Sequence, residues 1–470
     1  MQVVVIGAGP AGLAAAYALT ARGHQPVILE KSDGVGGICR THDYRGYLVD
    51  LGGHRFFTKF DEVQELWEEV LGDDFLVRPR MSRILYGGKF FDYPLNAANA
   101  LGNLGVRESA LCMASFARAR LKPGRTAESF EDWVSNRFGR RLFRAFFKTY
   151  TEKVWGISTE EIGAEWASQR IKDLDLAEAV LHALPGPLRR LRKDPGITSL
   201  IEEFYYPRRG PGQMYEAMAA KVVERGADLR YHTAATEVEI EDNRVVRVRA
   251  RGPEGEVVFE PDHVLSSMPL TLLVRGLRPQ VDAETLAAAN SLTYRNLITV
   301  DLIIDKPELF PDTWIYVHEP ALRVGRIQNF GNWSPFMVPD PNTSCLGLEY
   351  FCSDGDDLWS MDNDELVELG AREIEKTGLL GGGRVTDGTA FKVPKAYPVY
   401  KRGYEAALDR LQAAVDGLEN LQVMGRYGMF KYNNSDHSIL TALLAVENLF
   451  GAEHELWAVN TDTAYHEIRK

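Results

Sequence analysis

Gly7, Gly9, Gly12 and Glu30 are the first residues of this chain whose types and spacing specify chemistry. The order G-x-G-x-x-G, then an acid about 20 residues on, is what a dinucleotide needs. Gly7 permits a tight turn, Gly9 lets backbone approach a pyrophosphate, and Gly12 lets a helix pack closely on the preceding strand. Unpaired N–H groups at the start of that helix attract the phosphates, and the Glu30 carboxylate can accept a hydrogen bond from a ribose hydroxyl. Two more glycine turns follow: Gly34, Gly36 and Gly37 ahead of Arg40 and Thr41, then Gly52 and Gly53 ahead of His54 and Arg55. A nicotinamide dehydrogenase has no use for them directly after the acid. A flavin enzyme does, because backbone must pass close to an isoalloxazine lying deep in the protein. The cofactor expected is FAD. Gly7, Gly9, Gly12, Glu30, Lys31, Gly37, Arg40, Gly53, His54 and Val238 are the candidates to bind it, joined by Gly425 and Arg426 from a late glycine turn. His54, between a glycine pair and Arg55, is placed to tune flavin protonation or to accept hydrogen bonds from a substrate. No Ser/His/Asp arrangement competes. Cys39, Cys112, Cys345 and Cys352 are dispersed without a C-x-x-C, so neither a metal site nor a disulfide framework is expected, and Cys39 reads as a small apolar filler.

The elements that must position these residues are legible from periodicity. Residues 3–6 form a β-branched run of the kind found in a buried parallel strand, an Ala/Leu-rich helix runs to about Gly23, and residues 26–29 close on Glu30. Residues 421–451 read as strand, glycine turn and helix, returning late to complete the cofactor site. Residues 97–200 look largely helical. There Ser129 is a plausible N-cap with Asp132 in the capping-box position, and Pro185, Gly186 and Pro187 break the helical region. Residues 230–250 alternate around an Asp-Asn turn, a hairpin pattern, residues 265–269 look like a core strand end, and residues 295–355 suggest a sheet. The fold class expected is α/β: a Rossmann-type, glutathione-reductase-like FAD domain with an inserted helical and mixed β-sheet substrate domain. The boundaries expected are 1–95, 206–275 and 406–470 for the FAD domain, 96–205 for a helical cap, and 276–405 for the substrate-domain sheet.

A chain of 470 residues suffices for two or three domains. A net charge of −12 argues against general nucleic-acid binding, so the basic runs at Arg189–Lys193 and Arg208–Arg209 read as solvated faces. No stretch approaches the roughly 18 uninterrupted apolar residues of a membrane span. The fingerprint begins at the third residue, so no cleaved leader is expected, and dispersed thiols suit a reducing, cytoplasmic location.

Nearly the whole chain resembles the flavoprotein clan of amine oxidases, protoporphyrinogen oxidases and UDP-galactopyranose mutases. Four segments resemble the mutases in particular. They are YGGKFFDYPL at residues 86–95, YTEKVWG at 150–156 with Arg170 downstream, GRIQNF at 325–330, and GRYGMFKYNNSDHS at 425–438. Two positions depart from the mutase pattern. Phe430 stands where the first tyrosine of Y-K-Y is usual, and Phe57 replaces a second histidine in the loop GGHRFFTK.

The resemblance implies an FAD-dependent nucleotide-sugar mutase. Pyranose and furanose forms would interconvert through a reduced-flavin N5–sugar adduct, with no net redox change. It implies cations that hold a diphosphate while it is detached, for which Arg170 and Arg326 are the candidates, and hydroxyl donors at Tyr432, Tyr397 and Tyr400. Trp155 would stack on the nucleobase. Catalytic roles fall to His54, Arg170, Arg326 and Tyr432. A surface salt bridge is the competing reading of each arginine, a core tryptophan that of Trp155, and a packed strand edge that of Tyr397 and Tyr400. The partner implied is a nucleotide diphosphate sugar, with no nucleic acid and no membrane, and clan members are often dimers. The alternative function is an FAD-dependent oxidoreductase, of the amine oxidase, desaturase or protoporphyrinogen oxidase kind, which oxidises a small molecule.

Overall fold

The computed structural model describes residues 1–93, 97–121, 126–164, 166 and 203–461. Its first layer is a five-stranded sheet of parallel strands in the order Leu421–Val423, His263–Ser266, Val3–Ile6, Val27–Leu29, Asp228–Arg230. The central strand Val3–Ile6 is buried along its whole length. An unbroken apolar run is what a parallel strand covered on both faces requires. Helix Pro10–Ala21 starts on a proline whose fixed φ suits the first turn. It packs against helix Ser435–Leu449, so the two ends of the chain meet over one face of the sheet.

A four-stranded sheet lies beside this layer. Its hairpin pairs Ala234–Glu241 with Arg244–Gly252. Asp242 and Asn243 sit at φ 47° and 59°, the left-handed pair that a two-residue hairpin loop demands. In the helical region, Ser129 caps helix Phe130–Phe138, and Asp132 answers with a bond back to the Ser129 N–H, completing the capping box. A π-helical turn, Arg144–Lys148, leads into helix Thr149–Trp155. Arg170, the break at Pro185–Pro187 and the basic run Arg189–Lys193 lie outside the described residues.

The third element is a seven-stranded sheet, in the order Val385–Pro398, Tyr294–Ile304, Ser344–Cys352, Arg326–Asn329, Trp314–Val317, Ser82–Tyr86, Lys89–Asp92. The hairpin Ser82–Asp92 thus joins strands from beyond residue 290 and not the five-stranded sheet. One face, built on Ile298, Val300, Leu302, Leu346 and Leu348, packs into an apolar core with helix Asn363–Thr377. The opposite face is polar, and strand register orders it into two transverse rows. Thr299, Glu349, Arg326 and Tyr316 face one another across successive strands. Asp301, Gly347, Gln328 and Trp314 form the next row. Because strand side chains alternate with period 2, both rows stand on one face.

Candidate functional site

The fingerprint forms a cradle shaped for a cofactor. A Cβ on Gly12 would overlap the carbonyl oxygen of Gly7, so only glycine lets this helix close on the strand. Gly37, at φ 57°, lies with its Cα facing Gly9, and a Cβ there would come 3.3 Å from the Gly9 Cα. The late turn arrives at the same place: a Cβ on Gly425 would sit 2.8 Å from the Ala11 side chain. Glu30 is buried, accepting from Ala8 N–H at 2.9 Å and from Ser32 N–H and Oγ at 2.8 and 2.7 Å. A carboxylate offers about four lone-pair sites, so capacity remains for a ribose hydroxyl. Arg40 borders this turn, paired with Asp33 at 2.9 Å, and Lys31 is exposed. Val238 is buried inside the four-stranded sheet, and the residues that meet Glu30 and Ser32 are Thr233 and His232, through backbone bonds. Buried polar atoms without protein partners remain on Ser266 and Tyr427. Such atoms call for a polar occupant, and a dinucleotide with a flavin ring supplies one.

His54, Arg326 and Arg426 are brought within electrostatic reach of one another from three distant segments. The His54 Nδ1 lies 2.9 Å from the Gly52 carbonyl. A carbonyl only accepts, so Nδ1 carries the proton and Nε2 is left with a free lone pair. Burial, with help from Arg426 and Arg326 and against the Gly52 bond, lowers the His54 pKa to about 4. Neutral pH therefore finds a neutral imidazole able to accept a hydrogen bond. Gly53 lets the loop lie flat on the seven-stranded sheet, since a Cβ there would strike the Trp314 ring at 2.8 Å.

Arg326 and Arg426 are both partly buried, and they differ in compensation. Arg326 ion-pairs with the wholly buried Glu349 and donates to the Tyr397 hydroxyl at 2.7 Å. The competing salt-bridge reading of this arginine is thus realised, inside the protein and not on its surface. Glu349 is held in turn by Gln328 at 2.8 Å. Arg426 donates to the carbonyls of Ala396 and Asn433 and has no carboxylate partner among the described residues. Its guanidinium lies 4.2 Å from the Tyr432 ring centroid and 4.9 Å from that of Tyr397, and one of its terminal nitrogens is unpartnered. Aromatic faces stabilise a desolvated guanidinium, but an uncompensated buried charge is costly. This is where the site asks for an anion.

The aromatic candidates gather around that charge. Tyr397 and Tyr432 stack at 5.8 Å, and Trp155 lies 6.2 to 6.3 Å from Tyr400, Tyr432 and Tyr397. The Tyr400 hydroxyl accepts from the Tyr432 N–H at 2.6 Å, so it braces the strand edge. Burial, against the pull of Arg326, pushes the Tyr397 pKa up to about 12, which keeps its hydroxyl protonated as a donor. Phe430, at φ 46°, points into the core between Tyr294 and Tyr400, so no hydroxyl is offered there. Cys39 is buried with its pKa pushed up to about 12 by burial, which suits a filler and not a thiolate.

Sequence reasoning missed Tyr150, Gln328, Glu349, Asp50 and Asp301. Tyr150 stacks on His318 at 4.7 Å and lies edge-on to Tyr316, beside the Arg326 end of the row. A usable signal existed for the acids: Glu349 and Asp301 each interrupt an otherwise buried apolar strand, SCLGLEYFC and YRNLITVDLII.

A Rossmann-type cradle with a mixed sheet over its open end defines a flavin-dependent enzyme. A family model for flavin containing amine oxidoreductases matches residues 10–432, and the chain belongs to that family and binds FAD. Among curated relatives, an L-amino-acid oxidase of Crotalus adamanteus is 47% identical over 64 residues, 14% of this chain and 12% of its own. A probable UDP-galactopyranose mutase of Klebsiella pneumoniae is 28% identical over 175 residues, 35% of this chain and 43% of its own. The chain thus spans about half or less of the length of the curated relatives it matches. A crystal structure of reduced UDP-galactopyranose mutase superposes with a TM-score of 0.83 at 22% identity, covering 99% of this chain and 100% of that one. No described helix is long and apolar enough to cross a membrane.

Proposed function

We propose that this flavoenzyme is a nucleotide-sugar mutase acting on a nucleotide diphosphate sugar. The observation that carries the reading is Arg426: a largely buried guanidinium without a carboxylate among the described residues, set against the faces of Tyr397 and Tyr432 with one nitrogen unpartnered, and within electrostatic reach of His54. Reduced flavin, when bound, supplies the nucleophile for the anomeric carbon. Arg426 and Arg326 offset the charge of the departing diphosphate, and Tyr397 and Tyr432 donate hydrogen bonds to it. Trp155 closes the aromatic wall and excludes water, which strengthens each of these interactions. His54, neutral with a free lone pair on Nε2, accepts a hydrogen bond from a sugar hydroxyl and orients it. Arg170 belongs to this proposal as a second phosphate contact. The discontinuous organisation is part of it too, with the hairpin Ser82–Asp92 on the substrate side.

A second reading has its own support. Glu349 neutralises Arg326, and an aromatic wall with one cation compensated suits an oxidoreductase for a small organic molecule. Anaerobic incubation of the reduced holoprotein with a panel of nucleotide sugars separates the two. The mutase reading expects an isomer of equal mass that appears only with reduced flavin. No isomer from any sugar, together with flavin bleaching by an amine or other reduced substrate, overturns it in favour of the oxidoreductase.

A further inference from the structure

The segment YTEKVWG at residues 150–156 brings Tyr150 and Trp155 to the site, and between them a lysine that the proposed reaction does not use. Lys153 lies on helix Thr149–Trp155. Its Nζ donates to three carbonyls, those of Val317 at 3.0 Å, Glu319 at 3.2 Å and Val324 at 2.9 Å. An ammonium has three N–H groups and no acceptor, so every donor is spent. Among the described residues, no carboxylate pairs with it. All three carbonyls belong to one loop, whose base is closed by the Val317 N–H donating to the Gly325 carbonyl at 2.8 Å. Arg326 follows at once. His318, in the same loop, stacks on Tyr150 at 4.7 Å, so helix and loop meet twice. The C-terminal end of the helix is held separately. Arg295 donates to the carbonyls of Lys153 at 3.3 Å and Val154 at 3.2 Å, and to that of Phe351 on the seven-stranded sheet at 2.9 Å. Gly156, at φ 68°, clears the space, since a Cβ there would strike the Arg295 guanidinium.

The two cations on this helix differ. Arg295 has an acid, Asp356, at 3.4 Å, whereas Lys153 is satisfied by peptide dipoles alone. Withdrawing an ammonium from water is costly, and burial lowers the Lys153 pKa to about 8, against the pull of Glu373 and Glu319. A methionine would fill nearly the same volume without that cost. What it lacks is three directed bonds, which fix an angle as well as a distance.

We propose that Lys153 is a positioning residue of the substrate site. Its three bonds set the separation between the helix that carries Tyr150 and Trp155 and the loop that leads into Arg326. They thereby set the span a ligand bridges from the aromatic wall to the arginine. Lys153 itself has no donor left for a ligand. The proposal rests on the reading of this site as one for a nucleotide diphosphate.

The test compares the FAD holoprotein with its Lys153→Met variant by calorimetry at about pH 7, below the lysine value of about 8. Two probes are used: inorganic pyrophosphate, which meets the arginines alone, and uridine diphosphate, which must reach both walls. Affinity for uridine diphosphate should fall about 10-fold or more in the variant, while that for pyrophosphate stays within about 2-fold. Equal losses for both probes, as general destabilisation would give, overturn the proposal, and so does no loss for either. Hydrogen exchange on the unmutated holoprotein needs neither variant nor ligand. Residues 149–156 and 317–325 should open together as one cooperative unit, and independent opening overturns the proposal even where the variant does not fold. If neither probe binds the unmutated protein, the nucleotide reading fails, and the exchange result alone decides the positioning role.

Discussion

The five-stranded and seven-stranded sheets place chemistry in opposite ways. In the first, side chains serve packing and function is delegated to backbone: Gly7, Gly12 and Gly37 matter because they lack a Cβ. In the second, backbone serves as a ruler, and function resides in side chains that register aligns: Thr299, Glu349, Arg326 and Tyr316 in one row, Asp301, Gln328 and Trp314 in the next. The first arrangement tolerates no atom added at those three positions. The second is sensitive to charge, because its polar groups are buried with few spare partners.

That contrast predicts effects of different kind and size. Gly12→Val should abolish FAD retention and, by forcing helix from strand, destabilise the fold by more than about 4 kcal/mol. Flavin absorbance after gel filtration checks this, and a yellow, folded variant would break the backbone half of the comparison. Glu349→Gln keeps the volume and strands the Arg326 charge, so a loss of about 3 to 5 kcal/mol is expected in denaturant unfolding. Nucleotide diphosphate affinity should rise in the same variant, since the arginine loses its competitor. Arg426→Met should weaken nucleotide-sugar binding about 10- to 100-fold by calorimetry, the range for a hydrogen bond to a charged group, while the cradle still holds FAD. Unchanged affinity would assign the anion elsewhere.

His54→Gln sharpens the electrostatic half. Unfolded histidine protonates near 6.5 and folded His54 near 4. Between those values the unfolded chain binds more protons, so stability is lost as pH falls from about 6.5 to about 4. The unmutated protein, measured against His54→Gln, should lose stability over that window and stay level above it. Asp50 acts in the reverse sense from 3.8 to about 7, and taking the difference against His54→Gln removes its contribution. The smallest effect belongs to neither sheet: Ser129→Ala should cost about 1 kcal/mol, the worth of an N-cap, without changing flavin or ligand binding.

Legibility in the sequence follows the same division. The strand, glycine turn and helix at residues 3–21, the Asp-Asn hairpin, the Ser129 capping box and the closing strand and helix at 421–449 are local structures. Each is encoded within a few neighbouring residues by periodicity, glycine placement or a side chain that bonds its own backbone. The contact of His232 and Thr233 with Ser32 and Glu30 lies beyond that local reading, since it joins segments some 200 residues apart.

Composition and spacing by themselves determined that this chain builds a dinucleotide cradle and takes a flavin, because the demands of a pyrophosphate on backbone are met within thirty consecutive residues. The late glycine turn also named Arg426, and the resemblance to the mutases named Arg326, Trp155, Tyr397 and Tyr432. Only the tertiary structure decided what each arginine is. Arg326 is compensated by a glutamate twenty-three positions away on the next strand, and Arg426 is left to the faces of two tyrosines. Charge compensation in a protein interior depends on which groups fold into contact, and that distance is not written in the spacing of the chain.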